Sequence, residues 1–196
     1  MKEIKIAIFA SGTGSNAEHI IKFFQRHPFI KVGLLISNRK DAQALDKAEK
    51  LSVPTAYVPK SQFYDSNHVL TLLRRANISW IALAGFLLKV PPFILESYPD
   101  RIFNIHPSLL PKYGGKGMYG RHVHEAVVSN GEEETGITIH LVNEEYDKGR
   151  ILSQISCSVS PYDTAEDVEK RVRVLELAHY PNVIAQEILR SLTMIY

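Results

Sequence analysis

Asn104 and His106 stand two positions apart at the end of an apolar run that begins at Ile102. In a β-strand, residues i and i+2 point to the same face, so we expect the two side chains to project side by side. An asparagine offers a neutral donor for a developing oxyanion, and histidine has the unperturbed side-chain pKa nearest physiological pH. The spacing alone fits a reactive pair, but it favours a strand-end histidine with satisfied hydrogen bonds beside a turn asparagine.

A glycine-containing segment near the amino terminus is a second candidate site. It follows a short β-branched run from Ile4 to Ala10, and apolar residues at helical spacing come after it. Two glycines let the backbone turn tightly and present N–H groups at a helix N-terminus, a site that favours an anion such as phosphate. A dinucleotide fingerprint needs a third glycine where this chain has Ala17, so a plain strand-to-helix turn stays open. The segment consists of Ser11, Gly12, Thr13, Gly14, Ser15 and Asn16.

Composition limits the functional classes. The chain has 196 residues, 45% of them hydrophobic and 22% charged, which fits one globular domain with a sizeable core. The net charge of +2 comes without a dense Lys/Arg block, so we expect neither a nucleic-acid partner nor a membrane surface. Cys157 is the single cysteine, so no internal disulfide can form. The amino-terminal residues lack the apolar h-region of a secretory signal. We therefore expect a cytoplasmic protein. A monomer or a homodimer is expected, although the composition does not decide between them.

Strand and helix patterns alternate through the first half of the chain. This alternation predicts an α/β fold with a mainly parallel, open twisted sheet, helices on both faces, and a ligand crevice at the carboxyl ends of the strands. The glycine segment and the Asn104/His106 pair both follow such strand ends. The predicted strands after the first are Val32 to Ser37, Thr55 to Val58 and Trp80 to Ala84; the predicted helices are a segment capped by Asp41 and running through Lys50, Asn67 to Ala76, and Pro91 to Tyr98.

The second half has a different pattern. Four glycines between Lys112 and Gly120 predict a mobile loop, and a short helix from Arg121 to Asn130 follows. Alternating residues over 136–142 and 151–159 predict a late strand pair joined by an acidic loop. That loop is either a solvated turn or a loop that positions one of its carboxylates against His106. A final helix, capped by Asp163, should be kinked or broken at Pro181.

Five blocks of residues, in order along nearly the whole chain, resemble the formyltransferase family. The Asn-x-His-Pro-Ser-Leu-Leu-Pro block is far more specific than a glycine loop, and the resemblance favours the catalytic interpretation of Asn104 and His106. It also implies one formyltransferase domain over residues 1–196, with phosphate binding in its first half and folate binding and catalysis in its second. The blocks are the segment 11–16, Ala84-Gly85-Phe86, the segment 104–111, Thr135-Gly136 before His140, and Asp147 before Gly149.

The resemblance implies transfer of a formyl group from 10-formyltetrahydrofolate to the amine of glycinamide ribonucleotide. No metal is expected, because His106, His122, His124 and His140 show no ligand spacing with a cysteine or carboxylate set. It assigns catalysis to Asn104, His106 and Asp147, and we expect Asp147 to orient the imidazole and raise its pKa. His106, Asp147 or a water could carry the proton that leaves the amine. The implied substrate contacts are Gly12, Thr13, Gly14, Ser15 and Asn16 for the phosphate and Glu176 for the ribose; the implied folate contacts are Leu87, Leu88, Lys89, Val90, Asn104, Val142 and Asn143.

The chain departs from the family pattern at three places. Leu88 stands where many relatives have arginine, the 113–122 loop is longer than usual, and Lys148 and Arg150 flank Gly149 in place of a glycine and a proline. These differences put the folate contacts in doubt. Hydrolysis of 10-formyltetrahydrofolate is the alternative reaction, although such hydrolases carry an additional amino-terminal domain, whereas this sheet is expected to begin at Ile4. A non-catalytic nucleotide sensor would leave the trio unexplained, and tRNA formylation needs a further RNA-binding domain.

Overall fold

Strands and helices alternate through the first half of the chain, and this order changes after residue 106. The computed structural model describes residues 3–193, and within them the strands form a sheet in the order β3-β2-β1-β4-β5-β6-β7. The strands are β1 (Ile4–Phe9), β2 (Ile30–Ser37), β3 (Thr55–Tyr57), β4 (Ile78–Leu83), β5 (Ile102–His106), β6 (Glu134–Leu141) and β7 (Ile151–Ser158). The helices are α1 (Ser15–Gln25), α2 (Gln43–Lys50), α3 (Lys60–Phe63), α4 (Ser66–Arg75), α5 (Pro92–Ser97), α6 (Arg121–Ser129) and α7 (Ala165–Thr193).

The first of two compact units ends at Phe103 and contains the parallel strands. β1 pairs in parallel with β2 and β4, β2 pairs with β3, and β4 pairs with the first residues of β5. Residues 6–9 of β1 are fully buried, as expected for a strand covered on both faces, and their uninterrupted apolar run is the sequence pattern of such a strand. The predicted parallel sheet is therefore confirmed.

The second unit begins at Asn104 and contains the late strand pair. β6 and β7 are antiparallel, with Ile137 opposite Ile155 and Thr138 opposite Gln154, which confirms the predicted pair. Every residue of β6 after Glu134 is buried, so the alternation in its sequence marks two buried faces of different polarity. Helix α7 adds Val168 to the core of this unit.

A network of buried hydrogen bonds centred on the Thr138 hydroxyl holds the segment that follows His106. The hydroxyl donates to the Ser108 carbonyl at 2.7 Å and accepts from the Leu110 N–H at 2.9 Å. Gln154 Nε2 donates both to this hydroxyl and to the Leu110 carbonyl. The turn after β5, which includes the cis Leu110–Pro111 peptide bond, is thus fixed to the antiparallel pair.

The predictions for two helix caps were wrong. Asp41 does not cap α2: its carboxylate pairs with the Arg39 guanidinium, and the cap position belongs to Ala42. At the start of α7, Asp163 binds Arg171, whereas Thr164 and Asp167 exchange side-chain to backbone bonds as a capping box. Each error is of a single residue, and at α7 it arises because neighbouring polar residues compete for the orphan N–H groups at the helix start.

A kink or a break was predicted at Pro181 in the last helix, and the break does not occur. Helix α7 continues through this proline, although a proline in a helix interior removes one backbone hydrogen bond. Tyr180, Pro181 and Ile184 are buried together. Packing of this apolar face offsets the lost bond, since tertiary burial contributes more to helix stability than local propensity does.

Replacing Thr138 by valine should lower the free energy of unfolding by about 2–3 kcal/mol, because it leaves the buried Leu110 N–H without its hydrogen-bond acceptor. Thr135 is the matched control: it lies on the same strand, is 2% exposed, and its hydroxyl oxygen has no hydrogen-bond partner within residues 3–193. Thr135→Val should therefore be neutral or slightly stabilising. Urea unfolding followed by circular dichroism measures both variants, and equal losses would show that the network contributes nothing specific.

Candidate active site

The end of β5 presents Asn104 and His106 on one face of the strand, as their spacing predicts. Ile102 and Phe103 are buried and anchor the strand, and Pro107 follows its last residue. His106 is only 4% exposed, whereas Asn104 is half-buried. An imidazole buried to this extent must have hydrogen-bond partners for its ring nitrogens.

Asp147 lies among these side chains, on the loop that joins β6 and β7. Its Oδ2 is 3.5 Å from His106 Nδ1, and its Oδ1 is 3.5 Å from Asn104 Nδ2. The carboxylate also accepts a hydrogen bond from the Gly115 N–H at 2.9 Å. Asp147 has a left-handed backbone, with φ 56°. The structure thus brings together the three residues to which the family resemblance assigns catalysis.

His140 is a fourth member of this cluster that the sequence reasoning missed. Its Nδ1 is 2.8 Å from the Leu141 carbonyl, and a carbonyl can only accept, so Nδ1 carries the proton. With that proton on Nδ1, Nε2 can accept from Asn104 Nδ2, 3.1 Å away. His140 is 2% exposed and therefore fixes the orientation of the Asn104 amide. The sequence did contain one indication of this role: His140 lies on the predicted strand that leads directly into the acidic loop.

The same reasoning assigns the tautomer of His106. Its Nε2 is 2.7 Å from the Tyr113 carbonyl, so Nε2 carries the proton of the neutral ring. The lone pair of Nδ1 then faces the Asp147 carboxylate. A proton added at Nδ1 would form a charge-assisted hydrogen bond with that carboxylate.

Burial decides the protonation state of His106. Burial lowers the pKa of the imidazole. The charge of Asp147 and the hydrogen bond to the Tyr113 carbonyl raise this pKa, but by less than burial lowers it. Asp147 raises the pKa of His106, as expected, but burial lowers this pKa by more, so the net value lies below the ordinary one. Sequence alone did not show how completely the ring is covered.

Asp147 is held in its charged form. Burial by itself would raise the pKa of this carboxyl, but the adjacent His140 ring, the hydrogen bond from the Gly115 N–H and the nearby His106 bring the pKa below its ordinary value. A neutral imidazole therefore stands beside an ionised carboxylate at neutral pH. Together they can take up one proton and release it again.

The glycine segment of the first unit forms the start of α1. Gly14 is the N-cap residue, with φ 71°, and a Cβ at this position would lie 2.5 Å from the Ala44 Cα. The Gly12 carbonyl accepts from the Ala44 N–H at 3.2 Å, which fixes the turn against α2. Gly12 and Thr13 are exposed, and Ser15 and Asn16 are half-buried. The first turn of α1 can present its N–H groups to an anion.

The segment expected to contact folate follows β4 in the same unit. Phe86 packs against Phe9 and Phe63, with ring centroids 5.3 Å and 4.9 Å apart. The buried Ser11 hydroxyl accepts from the Leu87 N–H at 2.9 Å, so the glycine segment and this segment are joined directly. Leu87 itself is 54% exposed, so its side chain is available for an apolar contact. Leu88 is half-buried, Lys89 is exposed and Val90 is buried.

The remaining predicted contacts lie in the second unit. Glu176 is half-buried on α7, Val142 is half-buried, and Asn143 is exposed. The Asn143 side chain accepts from the Glu145 N–H and donates to the Lys148 carbonyl, so it shapes the loop that carries Asp147. Among residues 3–193, no group of three or more His, Cys, Asp or Glu side chains is placed to hold a metal. No helix in that range is long and apolar enough to cross a membrane.

The chain belongs to the formyl transferase family, which it matches over residues 4–184. It is 39% identical to the chloroplastic phosphoribosylglycinamide formyltransferase of Arabidopsis thaliana, over 92% of this chain and 64% of that longer protein. It is 34% identical to the phosphoribosylglycinamide formyltransferase of Bacillus subtilis, and 93% of each chain is covered. The crystal structure of the phosphoribosylglycinamide formyltransferase from Anaplasma phagocytophilum matches with a TM-score of 0.84 at 32% identity, covering 93% of this chain and 86% of that one.

The protonation state of His106 gives a direct pH test. We expect the His106 ring to titrate below its ordinary pKa of about 6.5 in an NMR titration. Because this pKa is lowered on folding, the contribution of His106 to stability is present above about pH 6.5 and is lost as the pH falls through the folded value. Asp147→Asn should lower the pKa further, since it removes a charge that raises it. A higher pKa in Asp147→Asn would contradict this account.

Proposed function

We propose that the protein transfers the formyl group of 10-formyltetrahydrofolate to the amine of glycinamide ribonucleotide, giving formylglycinamide ribonucleotide and tetrahydrofolate in purine biosynthesis. The observation that carries the proposal is the convergence of Asn104, His106 and Asp147 in one buried cluster. The names of the relatives support the choice of reaction.

The cluster suits acyl transfer to an amine. Attack of the amine nitrogen on the formyl carbon forms a C–N bond and a tetrahedral intermediate with a negatively charged oxygen, which needs fixed donors. Asn104 Nδ2 can supply one, because its contact with Asp147 is long, at 3.5 Å, and therefore weak. The other N–H of this amide stays on His140 and keeps the group oriented.

The proton needs a separate path. The attacking amine must lose a proton, and the folate nitrogen must gain one when its bond to the formyl carbon breaks. His106 Nδ1 and Asp147 Oδ2 can hold that proton between them, since the ring is neutral and the carboxylate is ionised. Their shared proton would then pass to the leaving folate nitrogen, directly or through a water.

Substrate binding is assigned to the two segments of the first unit and to part of the second. The α1 N-terminus with Gly12, Thr13, Gly14, Ser15 and Asn16 would bind the phosphate, and Glu176 the ribose. The exposed Leu87 would contact the folate, whose further contacts would come from Leu88, Lys89, Val90, Asn104, Val142 and Asn143. Ser11 joins the phosphate and folate segments through the Leu87 N–H.

Several broader features stay predictions. We propose a cytoplasmic enzyme that functions without a metal, as a monomer or homodimer, with residues 1–196 acting as one formyltransferase domain. Small-molecule substrates are the partners that the family membership supports.

The decisive assay compares the folate alone with the folate plus its acceptor. Given only 10-formyltetrahydrofolate, the protein should release tetrahydrofolate slowly, because water cannot be positioned as an anchored ribonucleotide amine can. Addition of glycinamide ribonucleotide should start rapid and stoichiometric formation of both products. The absorbance of the folate measures the reaction in both cases. His106→Asn is the control and should lower turnover by on the order of 10² or more. Equal rates with and without the ribonucleotide, with formate as a product, would identify a hydrolase.

The role of the glycine segment is tested by binding. Gly14→Val should abolish binding of glycinamide ribonucleotide and spare the folate, because a Cβ at Gly14 collides with Ala44. Calorimetric titration with each ligand separately measures this. Asn77→Val is the matched control, since Asn77 also has a left-handed backbone, with φ 54°, but lies at the end of α4. Loss of ribonucleotide binding in both variants, or tight NAD binding by the unmodified protein, would contradict the assignment.

A further inference from the structure

The tautomer of His106 depends on the backbone of one residue that has no assigned role. Tyr113 provides the carbonyl that accepts from His106 Nε2. Two residues further on, the Gly115 N–H donates to the Asp147 carboxylate. The segment 113–115 therefore fixes the proton on His106 Nε2 and also holds the Asp147 carboxylate that faces His106 Nδ1.

The backbone of Tyr113 is in an uncommon conformation. Its φ is 56°, a left-handed value that is rare and unfavourable for a bulky side chain. Gly114 follows in close contact, because a Cβ there would lie 2.5 Å from Leu110 Cδ2. A conformation of this kind persists only where the surrounding contacts determine it.

The side chain of Tyr113 supplies such contacts. Its hydroxyl donates to Glu132 Oε1 at 2.8 Å and accepts from Asn130 Nδ2 at 2.9 Å. Lys112 Nζ binds both oxygens of the Glu132 carboxylate, at 2.9 and 3.1 Å. Asn130 and Glu132 lie just after α6, so the phenol is fixed to a part of the unit that is distant in sequence from His106.

We propose that Tyr113 is a positioning residue: its side chain, held by Glu132 and Asn130, places its carbonyl so that His106 keeps the Nε2–H tautomer and presents the Nδ1 lone pair to Asp147. The chemistry of the pair requires this tautomer, since only an unprotonated Nδ1 can receive the amine proton beside the carboxylate. Loss of the correct histidine tautomer can lower catalysis severely even where geometry is retained. The inference rests on the proposed function only for the catalytic role of His106.

The test reads the tautomer directly, by ¹⁵N NMR of histidine-labelled protein at about pH 8, where an unperturbed histidine is neutral. No substrate is added. The unmodified protein should show a protonated Nε2 and an unprotonated Nδ1 at His106. Tyr113→Phe keeps the ring but removes both hydroxyl contacts, and should give a mixture of tautomers. Glu132→Ala, which removes the acceptor without changing Tyr113, should shift the tautomers in the same direction.

Activity provides the second readout. Tyr113→Phe should lower kcat on the order of tenfold or more while KM for each substrate stays within about twofold, because the residue acts through His106 and not on the substrates. Tyr162→Phe is the matched control: it removes the hydroxyl of a tyrosine that is 93% exposed and should change neither readout.

Three results would overturn the proposal. These are a protonated Nδ1 in the unmodified protein, unchanged His106 nitrogen shifts in both Tyr113→Phe and Glu132→Ala, and a fall in kcat without any change in the tautomer. The NMR result does not require a substrate. A protein inactive with glycinamide ribonucleotide would therefore contradict the proposed function while leaving the tautomer measurement decisive.

Discussion

The second unit depends on one constraint, which is that a mostly buried carboxylate must stay ionised. The Asp147 side chain is 12% exposed, and burial of a charge is costly unless donors surround it. The Gly115 N–H donates to it, the ring of His140 on β6 lies 3.6 Å away, and the amide of Asn104 on β5 makes a long contact of 3.5 Å. The left-handed backbone of Asp147 points the carboxylate into this group. The loop after β5 and the loop after β6 have to meet around it.

Backbone carbonyls then determine what the histidines can do. The Leu141 carbonyl makes His140 an acceptor at Nε2, and the Tyr113 carbonyl makes His106 an acceptor at Nδ1. A side-chain acceptor such as a carboxylate would also favour the charged ring, whereas a neutral carbonyl fixes the tautomer with less effect on the pKa. The Thr138 network keeps the intervening turn in place, so the carbonyls remain in position.

The parts of this arrangement that the sequence predicted are those with a local signal. The i, i+2 spacing of Asn104 and His106 predicted their shared face, and the parallel strands followed from apolar runs separated by helical periods. Asp147 was assigned by the family resemblance, because an acidic loop alone fits a solvated turn. The Tyr113 carbonyl and the lowered pKa of His106 had no local signal: they depend on which chain segments cover the ring, and any residue type has a carbonyl.

A neutral His106 beside an ionised Asp147 does not by itself select an amine over water, because both nucleophiles lose a proton on attack. The cluster accepts that proton in either case, and the oxyanion needs the same donors. Discrimination must therefore come from groups that hold the acceptor. A phosphate bound at the start of α1 would supply the necessary anchoring, since positioning contributes large effective molarities that a free water lacks. The close contact of Gly14 with Ala44 constrains the backbone of the glycine segment, which takes no part in the proton transfer.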